Sequence, residues 1–297
     1  MTTKPSVGVV VLNWNNFKDT KECLSSILKV DYEPYNIYVV DNGSTDGSYT
    51  KLKESFPSFN YIKNDENIGF SSGFNSGINQ ALEDNCDYIL ILNNDTIVEP
   101  DFLQPLVETA ESNSQVAAVG GIIYYPDKDR IWFAGGRINR YFSKIDINTD
   151  VRDADEYSTG YIIGTMMLLN TEYIKKYGLL NDDYFFGSED QEFCQKAMEN
   201  GWKLMINPDS KIVHKINAKS GSGNEFQFYH NTYNRLYFAS HHLNLYEKAV
   251  FYPYFLANRG ILLAIWLFKR RFTMTLSVLA AVYDFTTSSQ RKGAEFL

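Results

Sequence analysis

Short apolar runs alternate with amphipathic segments of helical length through the first 120 residues. The apolar runs have the length and β-branched content of strands, and some are continuous enough to be buried on both faces. They are VGVVVL (7–12), NIYVV (36–40), FNYI (59–62), YILIL (88–92) and VAAVG (116–120). This alternation predicts a βαβ progression and a mostly parallel sheet flanked by helices, with a ligand site beyond the carboxyl ends of the strands.

The alternation ends near Gly121. Residues 122–160 are rich in loop formers, 161–169 (YIIGTMMLL) predicts a further strand, and 188–201 predicts a helix. From Glu225 the pattern is helical and aromatic. We therefore expect an α/β domain over residues 1–243 and a helical, basic and apolar extension over 244–297.

Polar residues stand where successive predicted strands end. Asn13 closes the first, Asp41 the second and Asn93-Asn94-Asp95 the fourth, while NDENIGF comes after the third. Because parallel strands end at one edge of a sheet, these side chains should converge on a single cleft. Asn, Asp and Gly are also ordinary turn formers, which leaves a purely structural explanation open at each turn.

The residues after the first strand narrow the chemistry of such a cleft. NWNN replaces the glycine-rich loops GxGxxG and GxxxxGK that hold phosphates directly. An acidic, amide-rich edge suits a ribose, a base edge and a divalent cation that carries a diphosphate. Asp95 is then a hard oxygen ligand for Mg²⁺ or Mn²⁺.

Charge is distributed unevenly along the chain. A net charge of −8 argues against nucleic acid as a partner, whereas residues 244–297 hold seven basic and three acidic side chains. A basic, aromatic and apolar tail predicts peripheral contact with an anionic membrane, although it could equally pack on the domain or form a homodimer. We find no uninterrupted apolar stretch of spanning length and expect none to cross.

Three cysteines without metal-binding or paired spacing, and no export signal, favour a reducing compartment. We therefore expect a cytoplasmic protein that meets the membrane, if at all, at its cytoplasmic face.

Five blocks of sequence, taken in order and spacing, resemble one enzyme family over roughly residues 6–240. They are VVLNWNN, VVDNGSTDGS, ENIGFSSGFNSGI, LNNDT and FFGSEDQEFCQKAMENGW. They resemble the inverting family 2 glycosyltransferases of the Rossmann-like GT-A fold, most closely the rhamnosyltransferase-like branch. The resemblance implies transfer of a sugar, rhamnose being one candidate, from a dTDP-, UDP- or GDP-linked donor to a hydroxyl of a glycan or lipid-linked glycan. It also implies a role in polysaccharide biosynthesis of the cell envelope.

The resemblance also assigns nucleotide-binding positions. Asn13 and Asp41 would meet the base, and Asn67 and Gly69 would lie beside the nucleotide. Gly164 matches a small residue that lines the sugar pocket, although a crowded strand crossing explains a glycine equally well.

The segment from Asn93 through Asn94 to Asp95 stands where the family carries its DXD motif. Asn93 replaces the first acid, so Asp95 remains the metal carboxylate and Asn93 becomes a neutral ribose partner. His214 matches a histidine that contacts the metal or diphosphate, although a lone histidine is more often structural.

Two adjacent acids, Glu189 and Asp190, match the catalytic-base motif, with Asp190 the expected base. Inverting transfer needs one carboxylate to accept the proton of the acceptor hydroxyl, and it needs no covalent enzyme intermediate. Acids at a helix N-terminus also interact favourably with the helix dipole, which is the structural alternative.

Two other functions compete with sugar transfer. A sugar-nucleotide pyrophosphorylase would need a basic, glycine-rich N-terminal loop, which VVLNWNN does not supply. A non-catalytic sugar-nucleotide or glycan-binding module would be favoured if Asp190 were buried and salt-bridged away from the cleft.

Overall fold

The computed structural model describes residues 4–215 and 225–290. One ten-stranded sheet and a separate two-stranded hairpin are flanked by helices. The strands are β1 (Val7–Asn13), β2 (Tyr35–Asn42), β3 (Asn60–Asn64), β4 (Tyr88–Asn93), β5 (Thr96–Val98), β6 (Val116–Tyr124), β7 (Ile131–Phe133), β8 (Gly136–Asn139), β9 (Lys144–Ile147), β10 (Tyr157–Thr159), β11 (Met166–Asn170) and β12 (Lys203–His214). The helices are α1 (Phe17–Ile27), α2 (Ser48–Ser55), α3 (Phe70–Glu83), α4 (Leu103–Ser112), α5 (Thr171–Tyr177), α6 (Glu189–Glu199), α7 (Glu225–His242), α8 (Leu245–Phe268) and α9 (Phe272–Thr286), with a short 3₁₀ turn at Arg140–Phe142.

The main path of the sheet runs β10-β12-β6-β11-β4-β1-β2-β3. Strands β1 to β4 pair in parallel, as the βαβ pattern predicted, and β6 pairs in parallel with β12. The sheet is nevertheless mixed, because β11 runs antiparallel between β4 and β6. The carboxyl ends of β4, β6 and β12 consequently share one edge with the amino end of β11.

Burial explains why the central strands read as continuous apolar runs. Val9, Val10 and Val11 of β1 are fully buried, as are Ile89 and Leu90 of β4. Each such side chain contributes about 1.5–3 kcal/mol relative to exposure. Helices cover both faces of the sheet, so side chains that point to either face are buried.

The predicted strand over 161–169 begins only at Met166. Residues before it leave the sheet, because Tyr161 and Gly164 bond to Asp190 and the Thr165 carbonyl accepts from the Asn93 amide. Apolar composition alone did not reveal this departure. The short strand β5, which pairs with the end of β12, was not predicted either.

The C-terminal helices pack on one another and on the 3₁₀ turn. Asn244 begins α8 with a capping box closed by Glu247. By length and composition alone α8 could cross a membrane, which revises the expectation that no segment is long enough. Only 22% of the apolar 18-residue stretch of α8 is buried. The predicted division at residues 243/244 stays a prediction, and its tail residues Arg291 and Lys292 lie outside the described ranges.

Candidate active site

The predicted polar strand ends do meet at one sheet edge. In the strand register Asn13 lies beside Asp41, and Asn93 lies beside the residue before Asn13. His214, at the end of β12, reaches the same edge through the parallel pairing of β12 with β6. The edge therefore gathers residues that are up to 201 positions apart in the chain, counted from Asn13 to His214.

Asn13 is the centre of a hydrogen-bond network at the ends of β1 and β2, which we call the nucleotide side because the sequence resemblance predicts the nucleotide there. Its Nδ2 donates to Asp41 Oδ1 at 2.9 Å, to Ser48 Oγ at 2.9 Å and to Ser44 Oγ at 3.1 Å. Its Oδ1 accepts from the Thr20 hydroxyl at 2.8 Å. Both Asn13 and Asp41 are buried, so the amide of Asn13 is committed to orienting Asp41 and the loop after β2.

A second amide pair supports the neighbouring turn. Asn42 Nδ2 donates to Asn67 Oδ1 and to the Gly69 carbonyl, both at 2.9 Å. Gly69 has φ of +94°, and a Cβ there would lie 2.7 Å from the carbonyl oxygen of Phe185. Only glycine fits this turn without strain. Asn67 and Gly69 thus connect the β2 edge to the loop that precedes the acidic pair.

Asp95 and His214 form the second part of the site. Asp95 Oδ1 and His214 Nε2 are 3.0 Å apart, and the Lys215 amide donates to the Asp95 carbonyl at 2.8 Å. The Trp132 ring lies 4.7 Å from the imidazole, centre to centre. Sequence reasoning gave Trp132 no role, because its neighbour in space lies 82 positions further along the chain.

These donor atoms suit a divalent cation in part. Two ligands about 2.1 Å from an octahedral Mg²⁺ or Mn²⁺ are about 3.0 Å apart, and Asp95 and His214 have that spacing. The Asp95 side chain is 27% exposed and can reach a ligand. No cluster of three or more His, Cys, Asp or Glu ligands occurs within residues 4–215 and 225–290, so further ligands would come from the diphosphate and water.

Two buried atoms beside this pair lack partners. Asn93 Oδ1 and His214 Nδ1 make no hydrogen bond, while Asn93 Nδ2 donates weakly to Thr165 Oγ1 at 3.4 Å. Asn94, by contrast, donates to the Thr20 hydroxyl at 2.8 Å and joins the nucleotide-side network. A buried polar atom left without a partner is costly, and Asn93 Oδ1 is free to accept a hydrogen bond.

Asp190 is held by three neutral donors. Its Oδ2 accepts from the Tyr161 hydroxyl at 2.6 Å and from the Gly164 amide at 3.0 Å, and its Oδ1 accepts from the Gln191 amide at 2.7 Å. Burial raises the pKa of Asp190, and the three donors act in the opposite direction. Tyr161 was missed from sequence because it lies in a segment predicted to be a strand.

Glu189 has a different environment from its neighbour. Its Oε2 is buried without a partner, and burial together with the charge of Asp190 raises the pKa of Glu189 to about 8. The two acids share their protons as a pair. We assign the charge at neutral pH to Asp190, since its oxygens are solvated by donors, and the proton to Glu189.

Gly164 borders both acids. A Cβ placed on it would meet Asp190 Oδ2 and Glu189 Oε1 at 3.7 Å each, which is ordinary contact. The preceding loop is held by Asn234 of α7, whose Nδ2 donates to the carbonyls of Phe186 and Gly187. Helix α7 therefore holds the loop that precedes the acidic pair, a contact that the sequence pattern did not predict.

Comparison with known proteins bears on this geometry. The model of the family Glycosyl transferase family 2 matches residues 8–178. A dolichyl N-acetyl-α-D-glucosaminyl phosphate 3-β-D-2,3-diacetamido-2,3-dideoxy-β-D-glucuronosyltransferase of Methanococcus voltae is 26% identical over 218 residues, 68% of this chain and 64% of that protein. The chain thus spans slightly less than two thirds of that relative.

Two further proteins are similar over longer stretches. An N-acetylglucosaminyl-diphospho-decaprenol L-rhamnosyltransferase of Mycobacterium tuberculosis is 21% identical over 229 residues, 69% of this chain and 75% of that protein. The solved mannosyltransferase PcManGT of Pyrobaculum calidifontis, in complex with GDP-Man and Mn²⁺, aligns with 97% of this chain and 89% of its own. Its TM-score is 0.58 at 18% identity. The likeness concerns the fold, and it confirms the predicted GT-A architecture.

Proposed function

The chain belongs to glycosyl transferase family 2, and from that membership we propose that it transfers a sugar from a nucleotide-diphosphate donor to an acceptor hydroxyl, with inversion. The main observation in support of the proposal is that the candidate residues share one edge of the sheet. A polar network for a nucleotide, an Asp95–His214 pair and the acids Glu189 and Asp190 all lie along it.

The proposed reaction is a single displacement. Asp190 takes the proton of the acceptor hydroxyl while the acceptor oxygen forms a bond to the anomeric carbon. The bond from that carbon to the diphosphate oxygen breaks, and the nucleoside diphosphate leaves with the electron pair. Glu189, which keeps its proton at neutral pH, donates a hydrogen bond to a hydroxyl of the donor sugar.

Asp95 and His214 are the residues that would hold Mg²⁺ or Mn²⁺. The cation would neutralise negative charge that develops on the departing diphosphate. Asn93 would bond to the ribose through its unpartnered oxygen, and Asp41, with Asn13 behind it, would meet the base.

The donor that we favour is a deoxysugar nucleotide, with rhamnose as the sugar. A neutral Asn93 in place of an acid and the similarity to the mycobacterial rhamnosyltransferase support this choice. UDP- and GDP-linked sugars are the competing donors, and one binding panel compares all three.

The acceptor that we propose is a lipid-linked glycan at the cytoplasmic face of a membrane. The archaeal and mycobacterial relatives both carry lipid-phosphate acceptors in their names. Helices α8 and α9 expose a row of large apolar side chains next to the basic turn Lys269–Arg271. An apolar surface beside exposed cations is typical of peripheral membrane contact.

The deciding experiment is a thermal-shift panel of dTDP-rhamnose, a UDP-hexose and GDP-mannose, each with Mn²⁺ and with EDTA. A donor at about 100 times its dissociation constant should stabilise the native state by about 2.7 kcal/mol. We expect one nucleotide to dominate and its shift to vanish with EDTA and in Asp95→Asn. The exposed acid Asp101 supplies the control Asp101→Asn, which should keep the shift.

Transfer is then assayed with the dominant donor. Stabilisation by a donor without transfer or donor hydrolysis would instead make the chain a binding module. That alternative expected Asp190 to be buried and salt-bridged away from the cleft; Asp190 is buried, but its partners are the neutral donors of Tyr161, Gly164 and Gln191. Equal stabilisation with and without EDTA would remove the cation from the proposal.

A further inference from the structure

Two arginines are buried between α7 and α8 away from the acidic pair. Arg235 and Arg259 are each only 6% exposed. Their guanidinium carbons lie 5.3 Å and 5.2 Å from the centre of the same ring, Phe255. Two like charges thus share one aromatic ring in a dry environment.

Neither arginine has a carboxylate partner among the described residues. Arg235 donates to the carbonyls of Phe142 and Ser143, and Arg259 Nη2 donates to Asn231 Oδ1 at 2.7 Å. The nearby Arg140 is different, because it forms an ion pair with Glu247. Burying a cation without a counter-ion is costly, so the buried arginine pair demands an explanation.

Two donors in this region are unused. Arg259 Nε and Ser143 Oγ are buried, and neither has a hydrogen-bond partner. Burial and the charge of Arg235 lower the pKa of Arg259 to about 10, so it remains charged at neutral pH. Lys144, which is exposed, places a third cation 5.4 Å from the ring centre of Tyr254. The chemistry that satisfies three cations and free N–H and O–H donors is an oxyanion, and arginine favours phosphate.

The residues around this cluster suggest what kind of molecule carries the anion. Helix α8 also exposes Leu256, Ile261 and Ile265, which could lie against an apolar chain. Asn234, adjacent to Arg235 on α7, holds the loop before the acidic pair, so a ligand between α7 and α8 lies beside the helix that positions the catalytic loop.

We propose that Arg235, Arg259, Lys144 and the Ser143 hydroxyl form a binding site for the phosphate or diphosphate group that links an acceptor glycan to its lipid. This inference rests on the proposed function, since it specifies the acceptor class. The site would fix the acceptor by its phosphate and leave the glycan hydroxyl free to reach Asp190.

The test measures binding to phosphatidylcholine vesicles by flotation. One set carries a polyprenyl diphosphate, a second carries the polyprenol without phosphate, and a third carries phosphatidylglycerol at equal charge. Wild type should prefer the first set, and Arg259→Met should weaken that binding about tenfold or more. Soluble pyrophosphate, tested as a competitor and by thermal shift, distinguishes a free anion from a lipid-borne one.

Stability separates a binding role from a structural one. Removing an uncompensated buried charge should leave the melting temperature of Arg259→Met unchanged or raised, whereas a structural arginine would lower it. If Arg259→Met fails to fold, Arg259→Lys keeps the charge but lacks Nε, and Ser143→Ala removes the unused hydroxyl; both should lose the preference. The exposed Arg152→Gln, which lies outside α7, α8 and the basic turn, is the matched control and should keep it.

Three results would overturn the inference. They are equal wild-type binding to diphosphate and phosphatidylglycerol vesicles, an unchanged preference in the folded Arg259 variants, and full competition by pyrophosphate with no requirement for the lipid. A chain that binds its sugar nucleotide yet shows any of these results fails this inference alone. A chain that neither binds nor turns over any donor fails the proposed function.

Discussion

The two halves of the sheet edge differ in how completely their buried polar atoms are satisfied. On the nucleotide side, Asn13 uses both its amide and its carbonyl group, and Asp41 accepts from Asn13 and the Ser44 amide. On the other side, around Asp95 and the acidic pair, three buried atoms lack partners: Asn93 Oδ1, His214 Nδ1 and Glu189 Oε2. The polar atoms of the first half are satisfied within the protein, whereas under our proposal those of the second half bond to the substrates.

The difference between satisfied and unsatisfied buried polar atoms separates residues expected to stabilise the fold from residues expected to bind a ligand. Unpaired buried groups cost free energy, so those at the sheet edge are candidates for contact with a ligand. For the same reason we proposed a ligand site at the buried arginine pair of α7 and α8. Satisfied groups should mainly affect stability when changed, and unsatisfied groups should mainly affect turnover or binding.

The largest expected effect comes from Asp190→Asn, which removes the proposed base. Turnover should fall by about 10²–10⁴-fold, because proton transfer by a positioned side chain contributes that much. Donor affinity, measured by calorimetry, should stay close to wild type. Retention of more than about a tenth of the activity would mean that another group accepts the proton.

Asn13→Ala tests the satisfied half. It leaves the buried Asp41 carboxylate and Thr20 hydroxyl short of a partner, so the free energy of unfolding should fall by about 1–3 kcal/mol. Urea denaturation measures the loss. Equal stability to wild type would show that the Asn13 network does not act as a scaffold.

Glu189→Gln tests the proton assignment. The folded pKa of Glu189, about 8, lies above its ordinary value of 4.5, so ionisation weakens the native state as pH rises through that window. The variant should therefore melt at the wild-type temperature near pH 4.5 and about 2–4 °C or more above it near pH 9.

Activity supplies the second readout of Glu189. If the neutral acid is the working form, wild-type kcat/KM falls above about pH 8, and Glu189→Gln removes that fall while retaining measurable activity. A variant that is inactive at every pH, with a wild-type profile that rises through pH 8, would make Glu189 the base.

The smallest change in stability is expected for Asn93→Ala. Its side-chain oxygen has no partner and its side-chain nitrogen makes one long hydrogen bond, so the free energy of unfolding should hardly change. The donor KM should rise about 3–10-fold through loss of one hydrogen bond. Destabilisation as large as that of Asn13→Ala would erase the difference between the two halves.

Much of the fold and part of the site could be predicted from sequence. Continuous apolar runs such as 7–12 and 88–92 identified buried strands, and their polar ends identified the edge, because strand periodicity and chain direction are local properties. The five sequence blocks then identified the family, glycosyl transferase family 2. Asn13, Asp41, Asp95 and Asp190 all lie at element ends visible in the printed sequence.

Tertiary structure alone decided how those residues differ. Tyr161 reaches Asp190 across 29 positions, and His214 reaches Asp95 across 119, through strand crossings that no local pattern encodes. Whether Glu189 or Asp190 holds the proton depends on which oxygens find donors, and whether Arg259 is paired depends on what α7 presents to α8. The sequence by itself therefore determined the chemical groups and their sheet edge, while long-range packing determined which groups are satisfied, because burial and hydrogen-bond pairing are properties of the assembled fold.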